Sequence, residues 1–157
     1  MRTRFTAAAC CGFLGLGAAA HAQDVEATRK AALAFGLAGI WSWDCSKPAS
    51  RENPYLMWEV PASGPVQHRV TFDGRWPAPD FIAAKGALLG DGRLRLSLLT
   101  DGKLVMTVTT EKLKGRLHSV EITDGQGKLR MKDGVFLDTG KATGSSELCK
   151  DVEGAVP

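Results

Sequence analysis

From residue 66 onward, apolar and polar side chains alternate with the period of two that a β-strand imposes. Val66, His68, Val70 and Phe72 alternate with Gln67, Arg69, Thr71 and Asp73. Leu94, Leu96 and Leu98 stand against Arg93, Arg95 and Ser97, and Leu104, Met106 and Val108 against Val105, Thr107 and Thr109. His118, Val120 and Ile122 stand against Leu117, Ser119, Glu121 and Thr123. Weaker strand segments cover residues 81–88, 129–131 and 135–137, and residues 40–45 and 55–60 read as the first two strands. Asp-Gly pairs begin at Asp73, Asp91, Asp101, Asp124 and Asp133, joined by Lys114-Gly115. Asp-Gly supplies the positive-φ residues of two-residue hairpin turns. Strand, turn and strand without helical interruption predict an all-β, antiparallel up-and-down meander of about eight strands over residues 40–137. With one buried face, such a sheet is expected to close as a barrel, which removes its edges. An open sandwich is the alternative.

One helical pattern precedes the strands. Across residues 24–36, Val25, Ala32 and Phe35 recur at helical spacing, Asp24 is placed to cap the start, and Gly36 and Gly39 end it. In the strand that follows, Trp41, Trp43 and Cys45 would share one face, with Ile40, Ser42 and Asp44 on the other.

Residues 1–22 read as an export signal. Arg2 and Arg4 open it, an apolar run follows, and Ala20-His21-Ala22 has the small-x-small form of a cleavage site. Acylation of Cys10 or Cys11 is the alternative, although Ala7-Ala8-Ala9 lacks the usual large aliphatic residue. Residues 23–157 would then form a single domain in the periplasm or outside the cell, with no transmembrane segment. Removing the signal takes two of the 20 basic residues and none of the 17 acidic ones, so the net charge falls from +3 to +1. That balance gives no electrostatic case for nucleic acid. Two cysteines survive, Cys45 and Cys149, and an isolated pair in an oxidising compartment is most simply a disulfide.

Gly39-Ile40-Trp41, after a short helix and opening the first strand of a meander, resembles the Gly-x-Trp opening of the lipocalin and wider calycin families. The resemblance implies that Trp41 closes one barrel end beneath a basic residue from a late strand, for which Arg130 is the candidate by position. The Thr-Asp-Tyr turn of that family is absent, and Thr110-Glu111-Lys112 is a poor substitute.

The remaining candidates are aromatic and imidazole side chains. His68 and His118 both fall on apolar faces and would provide polar handles if they meet. Trp43 and Trp58 would line a cavity or fill a core. Trp76, in the stiff stretch Gly74-Arg75-Trp76-Pro77, would lid the barrel mouth or touch a partner. Thr139-Gly140-Lys141 lacks phosphate-loop spacing and reads as a connection to Cys149. Neither a catalytic triad nor a metal-ligand spacing is present, so no enzyme, metal or cofactor is expected. The expectation is an exported lipocalin-like protein that binds a small apolar or amphipathic molecule. The alternatives are an envelope protein-binding module, such as a hydrolase inhibitor, and a structural envelope protein without a discrete ligand.

Overall fold

The computed structural model describes residues 16–150. Helix α1 (Leu16–Phe35) precedes ten strands: β1 (Gly39–Ser42), β2 (Tyr55–Glu59), β3 (Val66–Thr71), β4 (Phe81–Leu88), β5 (Leu94–Thr100), β6 (Lys103–Leu113), β7 (Arg116–Asp124), β8 (Leu129–Lys132), β9 (Val135–Phe136) and β10 (Glu147–Lys150). All lie in one antiparallel sheet ordered β10-β1-β2-β3-β4-β5-β6-β7-β8-β9.

The meander is the expected one, but there are ten strands rather than eight, and the sheet curls as a half-barrel without closing. The reason lies at the outer edge of β7. Its C-terminal half pairs with β8, Ile122 opposite Met131 and Thr123 opposite Leu129. At its other end Leu117 exchanges two backbone hydrogen bonds with Ser146, at 2.7 and 2.8 Å. With four residues in β8 and two in β9, neither strand runs the length of β7 and returns to β1. Instead the chain crosses back through residues 137–146 and adds β10 beside β1, Trp41 opposite Leu148 and Ser42 opposite Glu147. The Cys45–Cys149 disulfide fixes that return, with Cα atoms 5.3 Å apart.

Helix α1 is already formed at Leu16, the first described residue, N-terminal of the expected start at Asp24. The alanine-rich stretch before Asp24 is a good helix former and carries the helix through that position. Asp24 therefore does not cap the helix: its carbonyl accepts the Thr28 hydroxyl at 2.7 Å, and its carboxylate lies 3.5 Å from Lys85 Nζ. Residues 1–15 of the expected export signal lie outside the described residues. Ala32 and Phe35 of the helix are buried with Leu37 in the core. The helix packs on β4 at Gly86, where a Cβ would stand 3.3 Å from Thr28 Cα.

The turns follow the sequence signals in part: Asp73-Gly74 and Asp91-Gly92, expected as two-residue turns, lie in longer connections, residues 72–80 and 89–93. Asp101-Gly102, Lys114-Gly115 and Asp133-Gly134 all adopt positive φ, and the residues flanking each pair are ladder partners. These are the tight hairpins that such dipeptides favour. After Asp124 the loop is longer: Gly127 takes the positive φ, and the Asp124 carboxylate accepts the amides of Gln126 and Lys128 at 3.0 and 2.9 Å.

Gly39 has a physical reason to be glycine. Its φ is +140°, and a Cβ there would collide with the Leu148 side chain of β10. Trp41 is 1 % exposed, and its indole N–H donates to the Leu37 carbonyl at 2.9 Å. The basic group over its ring is Lys112 of β6, with Nζ 5.1 Å from the Trp41 ring, 5.3 Å from the Phe35 ring, and donating to the Gly36 carbonyl at 2.6 Å. Arg130, the residue expected there, instead pairs with Asp124 at 2.7 Å on the surface.

Candidate functional site

The antiparallel register sets Trp58 opposite His68 and His68 opposite Phe81 on three neighbouring strands. Directly opposed residues share a face of the sheet and interact. The His68 ring accordingly lies 4.2 Å from the Trp58 ring and 5.7 Å from the Phe81 ring, centroid to centroid. This row forms one wall of a pocket of about 210 Å³ inside the curl. Leu96, Leu98, Met106 and Val108 form the wall from β5 and β6, and Leu37, just after the helix, also lines it. Besides the Trp58 indole N–H, the polar side chains in the lining are His68, Thr110 and Ser119. Thr110 is committed, since its hydroxyl donates to the His118 carbonyl at 2.9 Å.

A second pocket of about 380 Å³ adjoins the first and shares Leu56, Leu117, Ser119 and Ile122 with it. Its outer wall is the returning segment, Lys141 to Gly144 and Ser146, together with Trp43. Trp43 is 45 % exposed and rests on Gly144, where a Cβ would come within 3.0 Å of its indole nitrogen. β1 has already ended at Ser42, because Asn53 captures both neighbours: its side-chain oxygen accepts the Ser42 hydroxyl at 2.9 Å and the Asp44 amide at 3.0 Å. Arg116 fastens the returning segment. Its guanidinium donates to the Trp43 and Ser145 carbonyls, the Ser145 hydroxyl and the Glu147 carboxylate, each at 2.9 Å.

Among the residues expected to bind, Trp58 and His68 meet in the inner pocket and Trp43 lines the outer one. His118 lines neither pocket. Opposite Glu121 and Ser119 of β7 stand the consecutive residues Thr109 and Thr110, which leaves Val120 as the extra residue of a bulge. A bulge resets the alternation, so Leu117 and Ser119 face the pockets together with Ile122, and His118 points away. Its Nε2 lies 3.1 Å from the Thr143 hydroxyl, and its Nδ1 lies 3.6 Å from Glu111. Trp76 stands in a separate surface cleft with Arg51, Phe72 and Arg75. Sequence reasoning missed Arg116 and Leu56: one opens a strand as an ordinary surface cation, and the other sits in a strand without clean alternation.

Burial pushes the His68 imidazole down to about 4, against a weaker opposing pull from the Asp80 carboxylate. The folded protein thus resists a proton that the unfolded chain accepts near pH 6.5. Stability contributed by neutral His68 is complete above that pH and is lost as pH falls from about 6.5 to about 4, a drop of about 3 kcal/mol. Urea unfolding of the wild type and His68→Leu at several pH values checks this. The difference between them should change across that window and level off above it; a constant difference refutes it. Asp44, held down to about 2 first by the Ser46 hydroxyl and then by Lys47, loses its contribution only in more acidic solution.

Among the described residues no three His, Cys, Asp or Glu side chains gather to hold a metal ion. No helix among them is long and apolar enough to cross a membrane. Comparison with protein-family models, with curated proteins and with solved structures finds no significant match to this chain.

Proposed function

We propose that the chain is an exported, lipocalin-like protein that binds a small apolar or amphipathic molecule in the periplasm or outside the cell. The observation that carries this reading is the inner pocket: a concave, apolar space with a polar side chain set into its wall and a second pocket adjoining it. Binding sites for small molecules have this character, an apolar lining with a few placed polar groups. The Gly39-Ile40-Trp41 opening, with Lys112 over the indole, supports the lipocalin-like part of the reading.

Leu56 lies on the wall common to both pockets, so Leu56→Trp should fill them. The wild type, titrated with the bicyclic hydrocarbon tetralin in a calorimeter, should bind it. The variant, folded by circular dichroism, should lose at least tenfold in affinity. Absence of wild-type binding, or equal affinity in the two proteins, refutes the reading. Native mass spectrometry of protein purified from its own host would identify a molecule carried in.

A second reading, an envelope protein-binding module, is favoured by the cluster of Trp76, Phe72, Arg51 and Arg75. Phe72 is 53 % exposed, and tryptophan and arginine dominate binding energy at protein interfaces. A partner captured from envelope extract by the wild type and lost on Trp76→Ala would support it. An unaltered catch would count against it.

A further inference from the structure

We propose that the inner pocket selects an uncharged, largely apolar molecule with one hydrogen-bond acceptor, a ketone, aldehyde or ester oxygen, which accepts from Nε2–H of His68. This rests on the reading of the pocket as a ligand site and goes on to name the chemistry that it recognises.

His68 is 8 % exposed, and none of its ring atoms hydrogen-bonds to protein among the described residues. Its Nδ1 is sealed off without a partner. A proton on that nitrogen would create a buried orphan N–H, which folded proteins avoid more strictly than an orphan acceptor. The proton therefore belongs on Nε2. That is the ring nitrogen not sealed off, and the ring lines the pocket. Trp58 and Phe81, their rings tilted 45° and 34° to the imidazole, flank it and hold it in place, so the donor is preorganised.

The rest of the lining decides which acceptor fits. It contains no Lys, Arg, Asp or Glu, so an ionised headgroup would be buried without a counter-charge, at a large cost. A plain hydrocarbon satisfies the walls but leaves the Nε2–H unpaired. A neutral carbonyl oxygen on an apolar frame meets both demands. The size is set by the volume: about 210 Å³ exceeds the roughly 150 Å³ of an apolar cavity that holds benzene, which admits a bicyclic skeleton.

The test compares 1-tetralone with tetralin, which differ by one carbonyl. Because the ketone is also better hydrated, the quantity read is the ratio of the two affinities and how it changes with residue 68. In His68→Phe the ketone-to-hydrocarbon ratio should fall at least tenfold below the wild-type ratio, with tetralin affinity within about threefold. His68→Gln, which restores an N–H donor, should recover part of the ratio. In the infrared, the carbonyl stretch of bound 1-tetralone should lie below its position in cyclohexane in the wild type and return toward it in His68→Phe. Tetralin binding with an unchanged ratio, or a wild-type carbonyl stretch equal to that in cyclohexane, overturns the His68 assignment and leaves the pocket as a ligand site. Failure of both compounds to bind the wild type overturns both. The wild-type infrared measurement stands even if His68→Phe does not fold.

Discussion

Replacing Cys45 and Cys149 together with serine lowers the free energy of unfolding by about 4–5 kcal/mol. The bond spans 104 residues, nearly all of the described sheet, so its absence frees the unfolded chain more than a short crosslink would. In the folded state the loss falls on one place. β10 has four residues, with β1 on one side and, on the other, only the Leu117–Ser146 bridge nearby. What remains to hold it is its short ladder, the Arg116–Glu147 ion pair at 2.9 Å and the Cys45 amide donating to Glu147 at 2.8 Å. Urea unfolding of the oxidised wild type and the double serine variant measures the effect. Coincident midpoints would show that the crosslink is not a source of stability.

Trp41→Ala comes next, at about 3–5 kcal/mol, the range for removing a buried large aromatic side chain. Trp41 is buried just after the end of α1, and two interactions depend on its ring. The indole caps the Leu37 carbonyl where the helix has just ended, and Lys112 packs over its face. Trp41→Phe keeps an aromatic face but leaves the Leu37 carbonyl unpaired, and should cost about 1–3 kcal/mol. Lys112→Met keeps the packing and removes the charge, and should cost about 1 kcal/mol or less. Thermal unfolding of the three variants should rank them in that order. If Trp41→Ala unfolds with the wild type, the indole is not the keystone of that end.

Most of the architecture could be read from residue order because its information is local. Alternation and two-residue turns are decided within a few residues, so Phe81–Leu88 appears with the bounds expected and three tight hairpins fall on their dipeptides. Pairing of Cys45 with Cys149, the two cysteines outside the expected signal, was likewise a matter of counting. What escaped depends on distant partners. Glu147–Lys150 becomes a strand because β1 offers it an edge, not because four residues around a cysteine announce one. Closure failed because β8 and β9 are too short to carry the sheet round, a property no single segment reveals. His118 points away from the pockets because a one-residue bulge at Val120, invisible in an alternating string, displaces every side chain on its N-terminal side by one step. β1 stops short of Trp43 because Asn53, in a loop ten residues later, takes hold of the chain on either side of it. Lys112 was overlooked for the opposite reason: it sits in a conspicuous strand but stacks on residues from the helix end and β1.

The segment returning across the front of the outer pocket forms its wall, after Lys141, with Ala142, Thr143, Gly144 and Ser146, the glycine already pressed under Trp43. A surface made largely of main chain has a contour that substitution scarcely alters, except by forcing the whole ribbon aside. Variation in the shape of this chamber would therefore be written on the opposite rank of interchangeable aliphatics, Leu56, Leu117 and Ile122, where adding or deleting a methylene reshapes it without disturbing its frame.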